Sequence, residues 1–279
     1  MAGDRLNRSR APGEKPVLNE KPVLNEKIQT IVTDKVVDRN ESTPAKKTEK
    51  KFSNSKGLKE GARLFRTKRW DTALKVLLLV DANGLSAEDK VELAYYRGLC
   101  CTKLERFNDA LPCLEQVIGA GVDLLRVYQC RMTIAYIYVM TERVKMAEDE
   151  LRRLQDLGFE STPLYNTMAY AAYIQKRYRD AIDMYEKSLG IDRDNATALN
   201  SMGYILADEG IDPLKGLRYC RRALEYRPQN PAYLDSLGWA YYKCGELAEA
   251  RNLLRKALDL APHEKEIRKH YGIVTGGAV

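Results

Sequence analysis

The sequence predicts an all-α protein that is built from a stack of helical hairpins. Amphipathic helices recur in pairs along residues 54–279, and equivalent small residues in the later pairs are separated by a constant interval. Ala223 and Ala257 are 34 residues apart, and so are Pro228 and Pro262. A single hairpin cannot bury its apolar stripe, so we expect stacked hairpins that share one continuous core.

The most regular pair of helices lies between Pro231 and Pro262. Its first helix is predicted over about 232–243 and its second over about 247–260, with a Cys-Gly-Glu turn between them. Gly238 and Ala250 lie where the two helices would cross, since a larger side chain there would push the backbones apart. Apolar residues recur at three- and four-residue steps on both helices, namely Leu234, Leu237 and Tyr241, then Leu254 and Ala257.

This spacing and these residue types resemble the tetratricopeptide repeat (TPR), most closely that of bacterial TPR adaptor and scaffold proteins. The resemblance implies a right-handed α-solenoid of about six hairpins with a capping helix near its C-terminus. The units are expected at about 53–83, 89–121, 128–159, 162–194, 195–228 and 231–262, and the cap at 263–271. A helical-repeat class that reads RNA has a nearly identical period, but it lacks this signature of glycine followed by alanine.

Each unit in turn supplies a small residue on both of its helices. The first three units fit the pattern more loosely, because Ala73, Ala110 and Ala147 are 37 residues apart, which implies longer loops between those units. From the N-terminus, the small residues that pair within one unit are Gly61 with Ala73, Gly98 with Ala110, Ala135 with Ala147, Ala169 with Ala181, Gly203 with Gly216, and Gly238 with Ala250.

Residues 1–53 differ in kind from the repeats. The hexapeptide KPVLNE occurs twice in succession at 15–26, aromatic residues are absent before Phe52, and 12 Lys and Arg stand against 8 Asp and Glu. This composition predicts a disordered, charged tail. Residues 26–37 are weakly amphipathic, so they are either a solvated linker or a docking motif for a partner or for the protein's own groove. A short basic cluster at 46–51 leaves weak nucleic-acid contact as a third reading.

No catalytic or metal-binding constellation is found in the sequence. Phosphate-binding loops, GxSxG and HExxH are absent, and the two histidines, His263 and His270, are expected to be exposed on the capping segment. The six cysteines form no CxxC pair, so reduced structural thiols are expected. We therefore expect a non-enzymatic protein without cofactor or metal. The absence of a long apolar run and of an apolar leader at the start favours a cytoplasmic protein without a membrane span.

The concave face is the expected binding surface, because the resemblance implies that the first helix of every unit lines it. Residues three before, one after and four after the central small residue share that face. Aromatic and amide side chains at these positions suit a peptide segment or a partner domain. The candidate residues are Tyr136, Asn166, Tyr170, Tyr173, Asn200, Tyr204, Asp235, Trp239 and Tyr242.

The sequence therefore predicts a protein-protein interaction adaptor. Asp208 and Asp235 would favour a partner with Lys or Arg, and the lack of Lys at the groove positions disfavours capture of chaperone tails, which the resemblance would otherwise allow. A self-associating scaffold, with a homo-oligomer as its form, is the first alternative. A regulator with weak nucleic-acid contact through the basic tail is the second, although nucleic-acid binding is not favoured.

Overall fold

The computed structural model describes residues 54–121 and 123–277, and within these ranges it contains thirteen α-helices and no strand. The prediction of an all-α helical solenoid is therefore confirmed. The charged tail at 1–53, with its expected disorder, docking motif and nucleic-acid contact, lies outside the described residues. In chain order, α1 to α13 cover Asn54–Arg66, Trp70–Leu78, Ala87–Lys103, Phe107–Gly119, Leu124–Met140, Val144–Asp156, Thr162–Ile174, Tyr178–Ile191, Ala196–Asp208, Pro213–Tyr226, Pro231–Lys243, Leu247–Leu260 and Lys265–Thr275.

Helices α1 to α12 form six hairpins, and in each hairpin we call the first helix A and the second helix B. A short 3-10 helix, Ala82–Gly84, lies between the first two hairpins. Every extensive contact joins helices that are one or two positions apart in the chain, as α9 contacts α10 and α11. Helix α13 packs on α11 and α12 in the same way that an A helix packs on the preceding unit. Among the described residues, no helix combines the length and apolar content that a bilayer-spanning segment requires.

The two helices of a hairpin cross at the small residues that the sequence singles out. The closest crossing joins α9 and α10, where a methyl group on Gly203 would lie 2.8 Å from the carbonyl oxygen of Gly216. A methyl group on Gly238 would lie 2.8 Å from Leu254. Ala110, Ala147, Ala181 and Ala250 have no exposed surface. Packing at this density leaves no room for an added side-chain atom.

The turn between helices A and B has one left-handed residue in all six hairpins. The residue is glycine in the last two, with φ of 66° at Gly210 and 88° at Gly245. In the first four it carries a side chain, at Lys68, Glu105, Glu142 and Lys176, with φ between 57° and 60°. This conformation costs roughly 1–2 kcal/mol for a residue other than glycine. The tight packing of each hairpin therefore imposes its turn even where the local sequence disfavours it.

The helix after Pro262 is longer than the sequence indicates. The cap is expected at 263–271 with fraying from Gly272 onward, whereas α13 continues to Thr275. It ends at Gly276, whose φ of 70° is left-handed. Ile267 and Val274 on this helix are buried. The apolar side chains of α13 hold its last turn against the preceding unit, so the glycine at 272 does not end the helix.

Replacing Gly216 by alanine is expected to lower the free energy of unfolding by about 1–3 kcal/mol. The added methyl group would lie 2.6 Å from the carbonyl oxygen of Gly203, and a backbone atom cannot rotate away. Gly190→Ala on α8 is the matched control, because a methyl group there meets nothing within 4 Å. Alanine should stabilise that helix by up to about 1 kcal/mol. Urea unfolding followed by circular dichroism measures both, and equal effects would contradict the close crossing.

Candidate functional site

The nine candidate residues lie on four consecutive A helices, but the chain's own packing covers most of them. Eight of the nine are less than 9% exposed, and Tyr242 is half-buried. Asp235 has no exposed surface, while Tyr204 and Trp239 each retain 7%. The structure thus brings the candidate residues together along the stack and directs several of them into contacts between neighbouring units.

Two asparagines at equivalent positions in successive units each make a hydrogen bond to the following unit. The Asn166 amide on α7 donates from Nδ2 to Oδ1 of Asn195, the residue that caps α9, at 3.2 Å. The Asn200 amide on α9 donates from Nδ2 to Oγ of Ser236 on α11, also at 3.2 Å. In both residues Oδ1 is buried and has no hydrogen-bond partner among the described residues. Each amide therefore joins its unit to the next and leaves its carbonyl oxygen unsatisfied.

A comparable contact on α11 involves a histidine that the sequence pattern places at the surface. Nδ1 of His270 on α13 lies 2.9 and 3.0 Å from the two carboxylate oxygens of Asp235. The imidazole ring stacks on Trp239 with 4.1 Å between ring centroids and 18° between ring planes. His270 is only 4% exposed, so the expectation that both histidines are exposed is wrong for this one. His263 is exposed, as expected.

The indole of Trp239 is held by a carboxylate from the preceding unit. Its Nε1 donates to Oδ1 of Asp208 at 2.9 Å, and Nζ of Lys243 lies 3.2 Å from the same oxygen. The Lys243 ammonium also lies over the Trp239 ring, 5.4 Å from its centroid. Asp208 is thus paired with Lys243 of the chain itself, and Asp235 is buried against His270. Neither carboxylate is open to a partner in this conformation, and their preference for a partner with Lys or Arg stays a prediction.

The tyrosines of the candidate set are packed against other rings or side chains. Burial raises the pKa of Tyr204 well above its usual value, and the nearby Asp208 carboxylate adds to this rise. Tyr136 contacts Phe107 edge-on at 6.4 Å, and Tyr173 lies 5.8 Å from Tyr178. Tyr170 is 2% exposed. Buried phenols with such contacts stabilise the stack, and a ligand reaches them only where neighbouring side chains move.

The cysteines are free thiols in surroundings that suppress their reactivity. Burial raises the pKa of Cys100 to about 12, that of Cys101 to about 11 and that of Cys130 to about 12. Because the thiolate is the nucleophile and the metal ligand, these thiols are inert at neutral pH. In the part of the chain that the structure describes, no three His, Cys, Asp or Glu side chains are grouped closely enough to bind a metal ion.

Replacing His270 by alanine is expected to destabilise the C-terminal units by about 3 kcal/mol, because it leaves the buried carboxylate of Asp235 without its histidine. Amide hydrogen exchange along α13 and α11 would report the loss locally. His263→Ala is the matched control, and its effect should stay within about 0.5 kcal/mol since that side chain is exposed. Equal protection of α13 in the two variants would show that the contact with Asp235 does not hold the helix.

Comparison with known proteins points to one repeat family. Models of the tetratricopeptide repeat match residues 162–195 and 231–264. The TPR repeat-containing protein PA4667 of Pseudomonas aeruginosa is 34% identical over 119 residues, which are 41% of this chain and 20% of that protein. The mitochondrial import receptor subunit TOM70 of Rattus norvegicus is 27% identical over 109 residues, 39% of this chain and 18% of that protein. The chain thus spans about a fifth of the length of these relatives.

Solved structures share the fold of nearly the whole chain. A tetratricopeptide repeat protein from Parabacteroides merdae matches 92% of this chain and 94% of its own with a TM-score of 0.61 at 11% identity. The APC/C hetero-tetramer Cut9-Hcn1 contains a chain that matches 90% of this one and 46% of its own, with a TM-score of 0.67 at 11% identity. The chain thus contains tetratricopeptide repeats at residues 162–195 and 231–264, and its helical hairpins form a solenoid fold like that of these solved structures.

Proposed function

We propose that this protein is a non-enzymatic adaptor that captures an extended peptide segment of a partner on its A helices. Tetratricopeptide repeats are protein-interaction modules, and this general role is supported by the matched repeats. The peptide class is our own inference. The observation that carries it is the pair of unsatisfied carbonyl oxygens of Asn166 and Asn200, which lie at equivalent positions of successive units.

An unsatisfied buried acceptor costs roughly 1–3 kcal/mol, and a ligand that donates a hydrogen bond recovers that cost. A peptide backbone carries one N–H group per residue and needs no particular side chain to donate it. Asn166 contacts Asn195 at the start of α9, the helix that carries Asn200, so the two amide oxygens belong to adjoining parts of neighbouring units. An extended peptide in the polyproline II conformation has three residues per turn and advances about 3.1 Å per residue. Its N–H groups three residues apart therefore point to the same side, as donors to both oxygens have to.

The two asparagine oxygens are buried, so neighbouring side chains have to move before a peptide reaches them. Tyr242 is the only candidate residue that is half-buried among the nine, and its ring lies 5.0 Å from that of Trp239. A peptide that lies along this part of α11 would contact these two rings. Aromatic rings provide contact area at low entropic cost, which suits an anchor residue of the ligand. The six free cysteines suit a reducing compartment, so we extend the proposal to a cytoplasmic location.

The double variant Asn166→Leu with Asn200→Leu is expected to weaken peptide capture at least tenfold while the fold is retained. Leucine has a similar shape and removes both the unsatisfied oxygen and the amide, so its net effect on stability should be small. Peptides selected from a random display library on the immobilised full chain serve as probes. Fluorescence anisotropy then measures their affinity, and urea unfolding measures stability.

Asn252→Leu is the matched control, because Asn252 is exposed on α12 and away from the A helices. It should leave both affinity and stability unchanged. Selection of no peptide, or equal binding by the double variant and the wild type, would contradict capture on the A helices. Truncation of Tyr204 or Trp239 would be less informative, because both side chains are 7% exposed and their loss would also disturb the packing.

Self-association is the second candidate function, and exposed leucines in the first three units favour it. Leu79 is 84% exposed, Leu124 62% and Leu125 52%. Light scattering after size exclusion on residues 54–279 should then give a mass above that of one chain, and Leu79→Ser with Leu124→Ser should reduce it to one chain. A monomer across the accessible concentration range would exclude the scaffold and leave the adaptor as the function.

A further inference from the structure

Helix α13 has the register of an A helix, but no B helix covers it in the part of the chain that the structure describes. Gly272 follows Gly238 by 34 residues, so it occupies the position at which A helices are crossed. The helix packs on α11 and α12 through one side. Its remaining surface lines an open cleft of about 710 Å³ together with Leu258 of α12.

The other hairpins show what covers this position. A leucine of the B helix lies on the glycine of the A helix in three of them. A methyl group on Gly61 would lie 2.3 Å from Leu77, and one on Gly98 would lie 2.9 Å from Leu114. At Gly238 the corresponding distance to Leu254 is 2.8 Å. The surface at Gly272 therefore has the form that fits an antiparallel helix with a leucine at its crossing point.

The positive charge of the cleft indicates which kind of helix can bind there. Lys265, Arg268 and Lys269 line it, and Glu266 is the one acidic residue in the lining. Lys265 and Arg268 are exposed, and no described carboxylate lies within 4.0 Å of either. The described B helices of the chain all pack against their own A helices. A helix from elsewhere that carries acidic residues beside its apolar stripe would complement this surface.

We propose that the outer face of α13 is a docking site for an acidic amphipathic helix of a partner protein. The helix lies antiparallel to α13 and places a leucine on Gly272, while its glutamates or aspartates contact Lys265 and Arg268. This site is separate from the peptide surface on the A helices. A second copy of the chain does not fit it end to end, because the exposed residues of α1 include Lys56, Lys59, Arg63 and Arg66.

A synthetic helix provides the probe for this site. Its sequence is that of residues 247–260 with Arg251, Arg255 and Lys256 replaced by glutamate, and the unsubstituted peptide is the comparison. Fluorescence anisotropy with the full chain should show that the acidic peptide binds at least tenfold tighter, and that its affinity falls as salt is added. Saturable binding with this preference supports the proposal. Equal affinity for the two peptides, or no binding of either, would overturn it.

Two variants on α13 and one control variant on α1 locate the binding. Lys265→Glu with Arg268→Glu should reverse the preference between the peptides, whereas Lys56→Glu with Lys59→Glu on α1 makes the same charge change and should leave it intact. Gly272→Leu should abolish binding by filling the crossing point, with the helix content checked by circular dichroism. Undiminished binding by either α13 variant would overturn the site. Light scattering provides a further check. If the measured molecular mass rises with protein concentration, and the Lys265→Glu with Arg268→Glu variant lowers it, the face binds a second copy of the chain. That result would overturn the proposal of a partner protein's helix.

Discussion

The whole stack depends on the close crossing of two helices within each hairpin. At Gly203 and Gly216 the two backbones approach so closely that either added methyl group would lie within 3 Å of the opposite carbonyl oxygen. In three other units a leucine of helix B lies on the glycine of helix A. This contact fixes the angle between the two helices of each hairpin. Because the extensive contacts of each described unit are with its neighbours, the same contact also decides how the next unit stacks.

The contacts between units use polar side chains that a binding surface would also use. Asn166, Asn200 and Asp235 each reach the following unit, and in the last case the partner is His270 of α13. A ligand that bonds to the asparagine oxygens would therefore act on groups that also join units. Binding and the stiffness of the stack are linked through the same side-chain amides. A bound peptide would therefore slow amide hydrogen exchange in units that it does not itself contact.

The periodicity of the sequence was enough to predict the hairpins, since the small residues at the crossings recur every 34 to 37 residues and each pattern lies within a single helix. The periodicity was not enough to predict which side chains on the concave face are exposed to solvent. Whether Asp235 faces solvent depends on His270, which lies 35 residues away on another helix. The same limit applies to Trp239, whose indole is held by Asp208 of the preceding unit. The pattern of one helix contains no information about which side chain of the next unit covers it.

The left-handed turn residues make the N-terminal hairpins less stable than the C-terminal ones. The first four hairpins hold a lysine or glutamate in that conformation, as at Lys68 and Glu142, whereas the last two hold Gly210 and Gly245. Each of the four turns opposes the closure of its hairpin by roughly 1–2 kcal/mol, a cost that the glycine turns avoid. Under force or heat, opening should therefore begin in the N-terminal hairpins and proceed along the chain. The C-terminal pair would serve as the nucleus on which a refolding chain re-forms its units one after another.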